Sequence, residues 1–211
     1  PRLSATRFLS FGDSITEGVS SSCNRTLWGM TFEETMLVLP KAANDSWAYP
    51  NVLQTRLRAT YPSQSMTVRN FGVAGETLAE GTSRLPGVLT LEAPQVLLLL
   101  EGANDVNRGT SPTSIRNSLR TMVREARNRG IQVYVGTLLP QRPLGEQGSC
   151  RGFRPDDVPP ANDQIRSMAV SEGVPLVDLY QAFGSVPGAL IGPDGLHPSE
   201  AGYQKIADTF F

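Results

Sequence analysis

Residues Val96 to Leu100 read V-L-L-L-L, apolar at every position. A strand with one wet face alternates apolar and polar side chains, so an unbroken run of this length is expected of a central strand covered on both faces of a parallel sheet. Other short β-rich runs lie at Arg7 to Phe11, Met66 to Asn70, Gln132 to Thr137 and Leu176 to Asp178, with longer segments of helical period between them. That alternation predicts βαβ units and an α/β fold on a five-stranded parallel sheet. The clearest helical segment, Pro112 to Arg129, puts Ile115, Leu119, Met122, Val123 and Ala126 on one face. Pro112 suits its first position and Gly130 its C-terminal cap. Its opposite face carries Arg116, Arg120, Arg124 and Arg127. Such a stripe is either a nucleic-acid footprint or a solvated face, and the formal net charge of −1 favours the second.

The same near-neutral charge gives no field to hold a polyanion or an acidic membrane surface. The longest apolar run has nothing like the roughly 20 residues of a membrane-spanning helix. The chain starts at Pro1 without an initiator methionine, which points to an N-terminal segment removed by processing or by design, so any signal peptide lies out of view. Two cysteines and one histidine are too few for a tetrahedral zinc site, and neither a metal nor a cofactor is expected. No repeat or linker divides the chain, so a single domain spanning residues 1–211 is expected. Two stretches nevertheless read as insertions: Val19 to Ala48, after the first strand's turn, and Gln141 to Pro160, after the fourth strand. Ordered loops of this length often shape a binding site.

Four short blocks carry side chains suited to chemistry. The first strand runs into F-G-D-S-I-T-E-G, residues 11–18, which sets Ser14 where the chain turns out of the sheet, the edge at which open α/β sheets bind ligands. A serine there also serves as an ordinary helix cap, and the G-x-S-x-G elbow is absent. N-F-G-V-A-G-E-T, residues 70–77, follows the second strand with Gly72 and Gly75, and E-G-A-N-D-V-N, residues 101–107, follows the third with Asn104. Each is also a plausible plain turn. The last block, D-G-L-H-P at residues 194–198, precedes the terminal helix. Asp194 and His197, three apart, are close enough in a tight turn for the carboxylate to fix one ring nitrogen and leave the other as a base.

In this order the blocks supply a nucleophile, a backbone donor on a glycine turn, an amide donor, and an acid and base pair. The chain resembles the SGNH (GDSL) hydrolase family over nearly its whole length, on Ser14, Gly75, Asn104 and His197. The resemblance implies a three-layer α/β/α sandwich of flavodoxin-like type and a serine hydrolase of carboxylic esters. It makes Ser14 the nucleophile, His197 the general base and then acid, and Asp194 the orienting carboxylate. The N–H groups of Ser14 and Gly75, with the Asn104 amide, would form the oxyanion hole. Asp13 and Asp105 would tie the turns in place, and Glu101 is given no role.

The family's catalytic blocks do not separate its substrates. With no long apolar helical insertion to act as a lid, short acyl chains are favoured, carried by a small-molecule ester or an acylated carbohydrate. Trp28 and Trp47 either line that pocket or pack their own loop. A carbohydrate O-deacetylase or acyltransferase is the alternative within the same chemistry. A non-catalytic flavodoxin-like binding module is the remote one, and no phosphate-binding glycine loop supports it. Cys23 and Cys150, one in each insertion, suggest a disulfide and hence a secreted or periplasmic enzyme, against two thiols in a cytoplasmic one.

Overall fold

A computed structural model describes residues 2–21, 46–146, 149–150, 153–184 and 187–211. Five parallel strands form one sheet: β1 (Arg7–Gly12), β2 (Thr67–Gly72), β3 (Val96–Leu100), β4 (Gln132–Gly136) and β5 (Leu176–Val177), in the order β2-β1-β3-β4-β5. This is the flavodoxin-like order, with its switch point between β1 and β3. The V-L-L-L-L run occupies the centre. Leu97 and Leu99 enter one core with Leu9, Phe11, Val133 and Val135, whereas Val96, Leu98 and Leu100 enter the other with Val68.

The first core is closed by α3 (Leu78–Glu92), α5 (Pro112–Asn128) and α6 (Val158–Glu172). The second is closed by α2 (Tyr49–Thr60), α7 (Leu179–Phe183) and α8 (Glu200–Phe210). Two very short helices, α1 (Ser14–Glu17) and α4 (Ala103–Asn107), follow β1 and β3 directly. Helix α3 begins with a full capping box, in which the Thr77 side chain takes the Glu80 N–H and Glu80 reaches back to Thr77. Helix α5 buries Ile115, Leu119, Met122, Val123 and Ala126, the face its spacing marks. Its opposite stripe turns to α6: Arg120 and Arg124 pair with the Glu172 carboxylate at 3.0 and 2.8 Å, Arg127 reaches the Glu172 carbonyl, and Arg116 meets Gln164.

Strand limits differ from the sequence reading by one or two residues. β1 runs on to Gly12 and β2 is displaced to Thr67–Gly72, because each is paired residue by residue with its neighbour up to the glycine that opens the next turn. The second insertion is shorter than its composition suggests. Pro155–Asp157 form a 3₁₀ turn and Val158 already starts α6, whose first turn accepts Pro159 and Pro160 because those positions need no N–H partner. Most of the first insertion, residues 22–45, lies outside the described residues and takes Trp28 and Cys23 with it. No helix among the described residues is long and apolar enough to cross a membrane.

Candidate active site

The four blocks meet at the C-terminal edge of the sheet. Asp13 is the N-cap of α1: its Oδ1 accepts the Ile15 N–H at 3.0 Å, while its Oδ2 accepts the Ala103 N–H at 3.3 Å from the turn after β3. The cap is therefore Asp13, and Ser14 is the first helical residue, with its N–H ahead of the intrahelical ladder. Asp13 is fully buried, and burial pushes its carboxyl up to about 6 against the pull of those N–H groups and of His197.

Asp194 and His197 sit on a turn that closes on itself. The Gly192 N–H donates to the His197 carbonyl at 2.8 Å, the Gly195 N–H donates to the Gly192 carbonyl, and Ile191 pairs with Pro198. Asp194 Oδ1 accepts the N–H groups of Leu196 and His197 at 3.0 and 2.9 Å. Its Oδ2 lies 2.5 Å from His197 Nδ1, and His197 Nε2 lies 2.8 Å from Ser14 Oγ. A proton on Nδ1, facing the carboxylate, leaves the Nε2 lone pair for the serine hydroxyl. Burial works to raise the Asp194 carboxyl, yet the hydrogen bond and charge of His197, with the two backbone N–H groups, outweigh it and hold the group below its ordinary value. All three side chains are buried.

Two glycine turns face each other across this edge. Gly75 takes φ 78° and Gly102 φ 123°, backbone conformations that side-chain-bearing residues rarely adopt. Asn104, in α4, donates from its amide to the Glu76 carbonyl at 2.9 Å, which joins the second block to the third and leaves the other amide proton available. Asp105 Oδ2 accepts the Leu78 N–H at 2.9 Å, fastening α4 to the start of α3.

Several partners of these turns have no sequence motif. Glu17 Oε2 accepts the Ala74 N–H at 2.6 Å and so anchors the Gly75 turn to α1. Arg84 grips the buried Glu76 carboxylate through Nε at 2.7 Å and Nη2 at 2.5 Å, donates to the Phe71 carbonyl, and lies 3.9 Å over the Phe11 ring. The Asp194 N–H donates to Ser21 Oγ at 2.9 Å. Glu101 is buried at the end of β3 with no hydrogen-bond partner for either oxygen among the described residues. Trp47 is half-buried and donates to the Gly18 carbonyl at 3.1 Å. The described residues hold no group of three or more His, Cys, Asp or Glu side chains suited to a metal ion.

Ser14, His197 and Asp194 thus stand in hydrogen-bonded series at the edge of a flavodoxin-like sheet, and comparison with known proteins gives the class, a hydrolase. The chain belongs to the GDSL-like lipase/acylhydrolase family, whose model matches residues 10–205. It is 28% identical to the esterase TesA of Pseudomonas aeruginosa over 144 residues, which are 67% of this chain and 66% of that esterase. An arylesterase of Vibrio mimicus is 27% identical over 145 residues, 69% of this chain and 68% of the relative. Among solved structures, the lipase/acylhydrolase from Enterococcus faecalis superposes with a TM-score of 0.75 over 97% of this chain and 93% of that one, at 21% identity.

Proposed function

We propose that the protein is a serine esterase that hydrolyses carboxylic esters through an acyl-enzyme on Ser14. The observation that carries this reading is the continuous series from Ser14 Oγ to His197 Nε2 at 2.8 Å and from His197 Nδ1 to Asp194 Oδ2 at 2.5 Å. Ser14 Oγ attacks the ester carbonyl carbon while its proton passes to Nε2. The tetrahedral oxyanion is met by the N–H groups of Ser14 and Gly75 and by the free proton of the Asn104 amide. Collapse breaks the bond to the alcohol, which leaves with the Nε2 proton. Water then repeats the cycle with His197 as base, releasing the carboxylic acid and regenerating the Ser14 hydroxyl. The low-lying Asp194 carboxyl suits a group that must stay ionised beside the imidazolium.

A preference for short acyl chains belongs to the same proposal, on the sequence's lack of a long apolar helical insertion that could act as a lid. A disulfide between Cys23 and Cys150 and export to an oxidising compartment belong to the same proposal.

The test is Ser14→Ala assayed on p-nitrophenyl esters of increasing chain length, with a serine-directed phosphonate as a covalent label. Activity should fall by several orders of magnitude in a folded protein, and the label should map to Ser14 in the parent alone. Retention of more than about a tenth of the activity, a loss of only about 1.4 kcal/mol, would remove Ser14 from the mechanism.

A further inference from the structure

The turn that carries Asp194 and His197 is gripped from outside by the loop that follows β4. Arg142 is 4% exposed, and its guanidinium lies among the backbone carbonyls of that turn. Nη2 donates to the Ile191 carbonyl at 2.7 Å and to the Gly192 carbonyl. Further along the turn, the Arg142 N–H donates to the Gly195 carbonyl at 2.9 Å. One residue therefore holds both the entry of the turn and its tip, with Asp194 between them. The same loop adds the Cys150 N–H on the Pro193 carbonyl at 3.0 Å and Ser149 Oγ on the Asp194 carbonyl at 3.4 Å. The fit leaves no slack: a Cβ built on Gly195 would come within 2.3 Å of Ser149 Oγ and 3.1 Å of the Arg142 carbonyl.

We propose that Arg142 is a positioning residue for the acid and base turn, holding it so that His197 Nε2 stays within hydrogen-bond reach of Ser14 Oγ. This rests on the reading of Ser14, His197 and Asp194 as the reacting groups. A residue that only filled space would not be an arginine. Its charge is permanent and costly to bury, and it is tolerated where a planar fork meets several acceptors at once. Two of its acceptors, the Ile191 and Gly192 carbonyls, belong to the entry of one turn. Ser21, beyond α1, also accepts the Asp194 N–H, and the turn runs directly into the cap of α8 at Ser199. A lysine would keep the charge but cannot present the same fork, and a glutamine would keep hydrogen bonding but lose both charge and reach.

The experiment measures turnover per active site in the full chain, counting sites by phosphonate label on Ser14 after long incubation and checking the fold by circular dichroism. In Arg142→Gln, kcat per labelled site should fall by about 10- to 100-fold with KM changed by less than about threefold, since a misplaced base slows chemistry without touching the substrate pocket. Arg142→Lys should recover part of the loss. A kcat per labelled site within twofold of the parent, or a rise in KM with kcat unchanged, overturns the proposal. If Arg142→Gln does not fold, Arg142→Lys carries the test alone: a severalfold loss in kcat supports it and parent-like kcat overturns it. Failure to label Ser14 in the unaltered protein would instead refute the esterase reading, so the two failures are told apart.

Discussion

Replacing Glu101 by Gln exchanges one oxygen for an NH₂ group and removes the ability to ionise. Glu101 is 1% exposed at the end of β3, neither oxygen has a hydrogen-bond partner among the described residues, and the missing side chain of Gly81 in α3 makes the room it occupies. Burial, then repulsion from Glu76 and Asp13, raises the carboxyl from 4.5 to about 9, and attraction to Arg84 offsets only part of this. The folded protein thus binds a proton that the unfolded chain releases. Stability must therefore fall as pH rises from the unfolded value towards the folded one, and the loss is complete only near pH 9. At pH 7 the gap from 4.5 is 2.5 units, and at about 1.4 kcal/mol per unit the native state carries a penalty of about 3 kcal/mol. Gln carries no such penalty, so Glu101→Gln should match the parent near pH 4.5 and gain on it by about 1.4 kcal/mol per pH unit above that. In a domain of this size about 3 kcal/mol corresponds to roughly 6 to 12 °C in Tm. Urea unfolding of both proteins at pH 4.5, 5.5, 6.5 and 7.5, with the difference taken at each pH, cancels every other titration. A difference that stays flat across this range would show that Glu101 ionises as freely in the fold as outside it, and the burial argument would fail.

Two further predictions concern the proposed oxyanion site and the cysteines. Asn104→Ala should lower kcat by about 100- to 1,000-fold with little change in KM, because the amide would meet charge that exists only in the transition state; a loss under about threefold would remove Asn104 from that role. Alkylation of non-reduced protein followed by intact-mass measurement should add no label, with two labels after reduction. Two labels without reductant would refute the Cys23–Cys150 bridge.

What the sequence makes legible here is what short spans of chain determine. The V-L-L-L-L run identifies β3 because an unbroken apolar strand is stable only where both faces of the sheet are covered. The α5 face reads correctly because its apolar residues follow the helical period and are the ones that the structure buries. Asp194 and His197 could be paired on paper because a three-residue spacing lies within one turn. Ser14 and Asn104 stand out because each follows a strand in a block whose glycines have work to do. The limits of β1 and β2 were misplaced because a strand ends where its partner ends, and Gly12 opposite Gly72 is a fact about two distant segments.

The same distinction explains the residues that no motif announces, and it bears on how such a site keeps its geometry. Every reacting group proposed here sits on a turn or on a very short helix, and these are fastened by contacts between segments far apart in the chain: Glu17 to Ala74, Glu76 to Asn104, Ser21 to Asp194, and Arg142 to Ile191 and Gly195. An arginine at position 142 and a glutamate at position 101 look in sequence like ordinary charged residues of a loop and a strand end. Only burial gives them meaning. A buried Arg142 among carbonyls restrains a turn, while a buried Glu101 without a partner weakens the fold as pH rises. On the proposals above, the Arg142 contact helps hold the series from Ser14 to Asp194 together, while the buried Glu101 loads the strand end that leads into the Asn104 turn. Substitutions at the two positions should therefore separate: Arg142 changes turnover, and Glu101 changes stability.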